Sequence, residues 1–187
     1  PVSLPEGVST RIFLVPASMV EWVDNWNVLG LKATNSGGFK AENLFVPQGY
    51  SLSREHLAEV RLDGPLYKYP LNALFAVGFS AVALGIARSM MDAIIELAKS
   101  KRPRLAKTSL IESHLVQFQI GEAEARLRSA RSYVESTAER IWNAVVSSGE
   151  LTTPQRIDIR MAATFAIHEA STVAGAAWEI AGANAIF

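Results

Sequence analysis

Five cations fall within nine residues: Lys99, Lys101, Arg102, Arg104 and Lys107, with no acid between Glu96 and Glu112. Guanidinium and ammonium groups pair strongly with phosphate oxygens, so this cluster can hold an anion such as a cofactor pyrophosphate. It also follows a long helical pattern, where cations offset the negative end of the helix dipole. On the residues alone both accounts stay open. The three histidines, His56, His114 and His168, stand far apart, and none has a second ligand at metal-binding spacing. His168-Glu169 lies mid-helix among alanines, so satisfied core or surface histidines are expected. Gly37-Gly38 sits in a strand-to-strand turn, not before a helix, so it does not read as a phosphate-cradling loop. The chain has no cysteine, which excludes disulfides, thiolate metal ligation and a catalytic thiol among these residues. Trp22, Trp26, Phe39 and Phe45 gather in one segment. They could form a stacking platform, but packing in a small sheet is the expected role.

The elements that would position these residues divide sharply. Residues 1–49 read as β: short strands over 11–15, 19–26 and 39–46, punctuated by Pro16, the Asn35-Ser36-Gly37-Gly38 turn and Pro47. Three such strands are too few to stand alone. Residues 50–70, with Gly64, Pro65 and Pro70, read as a linker with one helical turn near 54–60. From residue 71 to 187 the pattern is long helices. The first covers 71–99, between Pro70 and Pro103. The second covers 110–148, opened by a Ser109-to-Glu112 capping box and stopped by Gly149. Its apolar stripe is Val116, Ile120, Ala123, Leu127, Ala130, Val134, Ala138, Ile141 and Val145, opposite Glu124, Arg128, Arg131, Glu135 and Glu139. The third begins at Thr153-Pro154, a cap followed by a helix-starting proline, and continues to Ala181. The expected class is mainly α, with a partial antiparallel β domain followed by an antiparallel up-down helical bundle.

Composition bounds the function. Lys and Arg number 18 and Asp and Glu number 18, so no basic excess marks a general nucleic-acid binder. At 49% apolar and 19% charged, the chain is too apolar to be a disordered tail. Residues 69–87 carry no charge over 19 positions, close to the length of a membrane-spanning helix. The run contains Asn72, Ser80, Gly78 and Gly85, and its periodicity continues through Arg88, Asp92, Glu96 and Lys99. A helix buried all round inside a bundle is therefore expected, and no membrane partner. The chain begins at Pro1 with no charged, apolar leader pattern and ends on an apolar run. These ends are expected to be those of a fragment of a longer cytoplasmic chain.

The order of motifs resembles the acyl-CoA dehydrogenase superfamily, from the second half of its middle β domain into its C-terminal helical domain. The resemblance rests on Phe13-Leu14-Val15-Pro16, then Trp26-Asn27-Val28-Leu29-Gly30-Leu31-Lys32-Ala33-Thr34-Asn35-Ser36. It continues with Ala41-Glu42-Asn43-Leu44-Phe45-Val46-Pro47, and with Ala83-Leu84-Gly85-Ile86-Ala87 followed by Asp92. It covers essentially the whole chain and implies an FAD or FMN flavoprotein, usually a homotetramer, with flavin held between the β domain, the bundle and a neighbouring subunit.

The basic turn falls where dehydrogenases of the family carry Arg-x-x-Phe reaching a partner's FAD; here Lys101 and Arg104 stand at those two positions, with Arg102 between them. The family's substrate-side Asp and Arg fall at Ala73 and Ala76. Both departures point to the monooxygenase-like branch, whose members activate oxygen on reduced flavin. The segment around Gly182, Ala183 and Asn184 resembles the Gly-rich loop beside the flavin, so the implied cofactor-binding set is Lys101, Arg102, Arg104, Gly182, Ala183 and Asn184. The catalytic group is expected beyond Phe187, so the 187 residues alone are expected to be inactive.

The resemblance implies CH–CH oxidation through flavin. Its alternatives are a flavin-dependent hydroxylase and a non-catalytic helical assembly module. The implied partners are a small-molecule substrate, further copies of the chain, and an electron-transfer protein or flavin reductase, with no nucleic acid.

Overall fold

The computed structural model describes residues 11–53 and 62–186. The helical turn read near 54–60, and His56, lie outside the described residues. The chain divides into two compact units, residues 1–62 and 63–187.

In the first unit the strands are only three residues long. β1 (Arg11–Phe13), β2 (Glu21–Val23), β3 (Gly38–Lys40) and β4 (Ser51–Ser53) form two separate antiparallel ladders, β1 with β4 and β2 with β3. Pro16 closes β1 and leads into a 3-10 turn at Ala17–Met19. Trp22 stands opposite Phe39 and Glu21 opposite Lys40. The Asn25 side-chain oxygen accepts from the Gly38 N–H at 2.8 Å. A Cβ at Gly37 would lie 2.9 Å from the Val23 carbonyl, so the tight approach of the two strands requires glycine there. β4 falls within the 50–70 stretch and pairs back to β1, with Ile12 opposite Leu52.

The aromatic cluster does not make a small core. Trp22 and Phe39 meet edge to face at 6.0 Å, yet Trp22, Phe39 and Phe45 all remain exposed, and no described residue of this unit is buried.

The second unit is built from three long helices after a four-residue helix, α1 (Pro65–Lys68): α2 (Leu71–Ser100), α3 (His114–Ser148) and α4 (Thr153–Ala181). Gly149 ends α3 in the left-handed conformation, φ 78°, its N–H bonding the Val145 carbonyl at 2.9 Å. Two boundaries differ from expectation. The Ser109–Glu112 box forms, but it caps a 3-10 turn at Leu110–Glu112, and α3 begins only at His114. At α4 the capping residue is Thr152 rather than Thr153; its side chain and that of Gln155 close a reciprocal box, with Thr152 N to Gln155 Oε1 at 2.9 Å.

α4 packs along both α2 and α3, which touch each other more sparingly. Its small residues explain this central place. Ala162, Ala163, Ala166, Ala170 and Ala177 are buried, and alanine lets two neighbouring backbones come close. Of these, Ala162, Ala166, Ala170 and Ala177 share a core cluster with Leu84, Ala87, Met91 and Ile94 from α2 and Val116, Ala123, Leu127, Ala130 and Val134 from α3. A second cluster joins Ala73 of α2 to Ile141, Val145, Leu151 and Ile159. The α3 stripe is thus the buried face, with Ile120 and Ala138 half-buried at its margin.

α2 has the length and apolarity of a membrane-crossing helix. It is not buried all round within this chain. One face carries Ala73, Ser80, Leu84, Ala87, Met91, Ile94 and Ala98 into the core, while Leu71, Phe75, Phe79, Val82 and Ile86 stay exposed at helical spacing.

Candidate functional site

Two sequence-distant segments flagged for anion and cofactor contact meet at one end of the bundle. α2 ends at Ser100, and the basic turn begins with Lys101 in an extended conformation. Lys101 Nζ donates to the carbonyl of Ala181, the last residue of α4, at 2.8 Å across 80 positions of sequence. The next residue, Gly182, has φ 55° and ψ −134°, a conformation open only to glycine, and its N–H bonds the Trp178 and Glu179 carbonyls. Gly182–Ile186 then forms a 3-10 turn in which Gly182, Ala183 and Asn184 are exposed. A Cβ at Gly182 would sit 3.9 Å from Lys101 Nζ, so the ammonium group lies directly beside this turn.

The other cations of the cluster divide by use. Lys99 is paired with Glu96 at 2.6 Å. Arg102 and Arg104 are exposed and have no hydrogen bond or ion pair among the described residues. The charge of Arg102 does reach Glu112. That carboxyl is held below its ordinary value, first by the Ser109 hydroxyl and backbone N–H and least by Arg102. Two guanidinium groups without a hydrogen bond or ion pair, in a turn free of acids whose Lys101 lies beside Gly182, can pair with a phosphate-bearing ligand. No contact joins Arg102 or Arg104 to Ala183 or Asn184.

A second polar feature lies midway along the bundle. A cleft of about 520 Å³ between α2 and α3 is lined by Val77, Ala81, Leu84, Gly85, Leu127 and Val134, with a charge network along it. Arg88 bridges Glu124 of α3 at 2.5 Å and Asp92 at 2.8 Å, and Arg128 meets Glu124 at 2.7 Å. Glu124 is held below the ordinary glutamate range, chiefly by the Arg88 hydrogen bond against the opposing effect of burial. Sequence reasoning placed Glu124 on the solvent face. The helical phase that turns it toward α2 is set by packing.

The remaining candidates stay apart. His114 opens α3 and His168 is on the exposed side of α4. Ala73 is buried against α3 and cannot face a ligand, while Ala76 is half-buried.

Residues 77–187 match the family model described as acyl-CoA dehydrogenase, C-terminal domain. Among curated relatives, the indole-3-acetate monooxygenase of Acinetobacter baumannii is 25% identical over 95% of this chain and 45% of that protein. That of Pseudomonas putida is 28% identical over the same shares. Among solved structures, the 3-HSA hydroxylase of Rhodococcus sp. RHA1 superposes with a TM-score of 0.82 at 26% identity, over 96% of this chain and 48% of that one. XiaF from Streptomyces sp., in complex with FADH2 and glycerol, shares the fold at a TM-score of 0.84 and 23% identity, over 96% of this chain and 47% of that one. The chain thus spans about half the length of the relatives it matches. With the family model covering more than half of its residues, the chain belongs to the acyl-CoA dehydrogenase family, in its C-terminal domain.

Proposed function

We propose that this chain serves a flavin-dependent monooxygenase, the oxygenase component of a two-component system that hydroxylates a small aromatic substrate. The observation that carries the reading is the meeting of the basic turn with the Gly182 turn through Lys101, at the place where the phosphate end of a flavin nucleotide would be held. Its relatives support the oxygenase chemistry: they are named as indole-3-acetate monooxygenases and as an oxygenase component acting on p-hydroxyphenylacetate. The dehydrogenase alternative loses support because neither Ala73 nor Ala76 has a polar side chain to hold an acyl thioester.

When bound, reduced flavin supplies the two electrons that, with two protons, convert O2 into one oxygen inserted in substrate and one water. The chain's own residues have other tasks. Arg102 and Arg104 would bind the phosphate oxygens, whether of FMN or FAD. Gly182, with no side chain, would let the backbone of Ala183 and Asn184 approach the ring. The apolar faces of α2 would exclude water, which strengthens electrostatic interactions in the site.

The exposed α2 stripe of Leu71, Phe75, Phe79, Val82 and Ile86 supports further copies of the chain as partners, a homotetramer in the proposed assembly. A flavin reductase would deliver the reduced cofactor.

The test uses the full-length protein with NADH, a flavin reductase, FAD or FMN, and 18O2. Indole-3-acetate and p-hydroxyphenylacetate are offered as substrates. The expected product gains one 18O atom. Oxidation of an acyl-CoA to its enoyl product without oxygen incorporation, or purification with no affinity for either flavin, would overturn the reading.

A further inference from the structure

Lys101 is bonded to the ends of α2 and α4 and to the 3-10 turn that precedes α3. Its N–H bonds the Leu97 carbonyl at 2.8 Å and closes α2. Its carbonyl accepts from Leu110 N at 2.8 Å, at the 3-10 turn that leads into α3. Its ammonium group caps the C-terminal carbonyl of α4 at Ala181, also at 2.8 Å. Lysine at that place satisfies one of the four free carbonyls that every helix end leaves, and its charge complements the helix dipole. The half-buried setting strengthens that bond relative to one in open water.

The consequence falls on the turn that follows. Gly182 leaves α4 in a backbone conformation that only glycine adopts, held by its own N–H to Trp178 and Glu179. Residues Gly182–Ile186 contain no buried residue to anchor them. The Ala181 carbonyl is the last point of α4 before the turn, and Lys101 grips it.

We propose that Lys101 is a positioning residue: it fixes the Gly182–Ile186 turn through Ala181 and does not itself bind the cofactor phosphate. The bond to Ala181 commits one of the three ammonium donors and fixes where the group lies. Arg102 and Arg104, which have no hydrogen bond or ion pair among the described residues, are the cations left free for phosphate. This inference rests on the flavin reading above only in its second readout; the first readout stands without any flavin.

The experiment compares Lys101→Met and Lys101→Arg with the parent in the full-length protein. The first readout is amide hydrogen exchange without ligand. Lys101→Met should speed exchange at 182–186 about tenfold or more and leave the Ala162, Ala166 and Ala170 amides unchanged. Lys101→Arg, which can still donate to the Ala181 carbonyl, should restore the parent rates. Unchanged exchange at 182–186, or equal acceleration through the whole of α4, overturns the proposal.

The second readout is affinity for riboflavin and for FMN. A positioning residue acts on the ring-side turn, so both ligands should weaken by the same factor in Lys101→Met. Loss confined to FMN would make Lys101 a phosphate ligand and overturn the proposal. Should the protein bind neither ligand, the flavin reading fails while the exchange result still decides the role of Lys101. Lys101→Leu, which also lacks a donor, replaces the Met variant if that one does not fold, with the same expected outcomes.

Discussion

Arg102 and Arg104 offer the sharpest separation between the proposed phosphate recognition and everything else the basic turn does. Both are exposed and neither has a hydrogen-bond or ion-pair partner among the described residues, so replacing both with alanine removes only the weak pull of Arg102 on Glu112. Folding stability should therefore stay within about 0.5 kcal/mol of the parent, the ordinary range for such surface changes. A hydrogen bond to a charged group contributes about 1.5–3 kcal/mol when shielded. These side chains are open to water and salt, which places each near the lower end, about 1.4 kcal/mol or tenfold in Kd. The Arg102→Ala, Arg104→Ala double variant should thus bind FMN on the order of 100-fold more weakly, with a reduced salt dependence. Riboflavin has the same ring and no phosphate, so its affinity should not change. Quenching of flavin fluorescence, titrated with both ligands at two salt concentrations, measures all of this directly. An FMN Kd within twofold of the parent, or an equal loss for riboflavin, would refute the assignment. The pattern is the opposite of that expected at Lys101, so the two neighbouring cations are distinguishable by the same titration.

Three further outcomes test the scaffold. Because Arg88 lowers the Glu124 pKa in the folded state, the unfolded chain binds more protons through the acid range and stability rises with pH there. The contribution is complete above about pH 5, beyond the ordinary glutamate value of about 4.3, and is lost as pH falls through the lowered folded value. With side chains 36% and 25% exposed, the Arg88–Glu124 coupling should be about 1 kcal/mol in a double-mutant cycle of Arg88→Met and Glu124→Gln, and should vanish at low pH. Denaturant melts at pH 7 and pH 3 measure it, and an unchanged coupling at pH 3 would contradict the assignment. Ala166→Leu forces three more carbons into a fully buried site on α4 and should destabilise by about 1–3 kcal/mol, read as a lowered denaturation midpoint. Thr152→Ala removes the α4 cap and should cost about 1 kcal/mol, whereas Thr153→Ala should cost less than half of that.

The three long helices were legible because each repeats its apolar residues at the helical period and is bounded by residues with local reasons to be there: Pro70, Gly149 and Pro154. The errors at their ends have equally local causes. A Ser–Glu box satisfies the N-terminus of a 3-10 turn as well as that of a helix, so it could not tell Leu110 from His114 as the start of α3. Two adjacent threonines precede Pro154, and proline is tolerated in either of the first two helical positions, so either could serve as cap. The β unit was harder. Its strands are three residues long and no described residue in them is buried, and β4, Ser51-Leu52-Ser53, with one apolar residue, is too short a run to reveal itself; only its pairing to β1 makes it a strand.

The site divides along the same line. A local density of cations marked the basic turn, since composition sees charge, but it could not say which cation is already committed. That depends on a bond spanning 80 residues, from Lys101 to Ala181, and on the phase at which α2 and α4 come side by side. Arg88 and Glu124 show the same dependence: each helix alone predicts its own buried stripe, while the residues that meet across a groove are decided by how two stripes rotate onto a third helix. The small side chains of α4 set that rotation, because alanines at 162, 166 and 170 let α2 and α3 approach one central helix instead of each other. Widening α4 should therefore loosen the Arg88–Glu124 pair as well as the core. A smaller coupling energy for that pair in the Ala166→Leu background would show that the charge network is positioned by the alanine stripe, and an unchanged one would show that it is not.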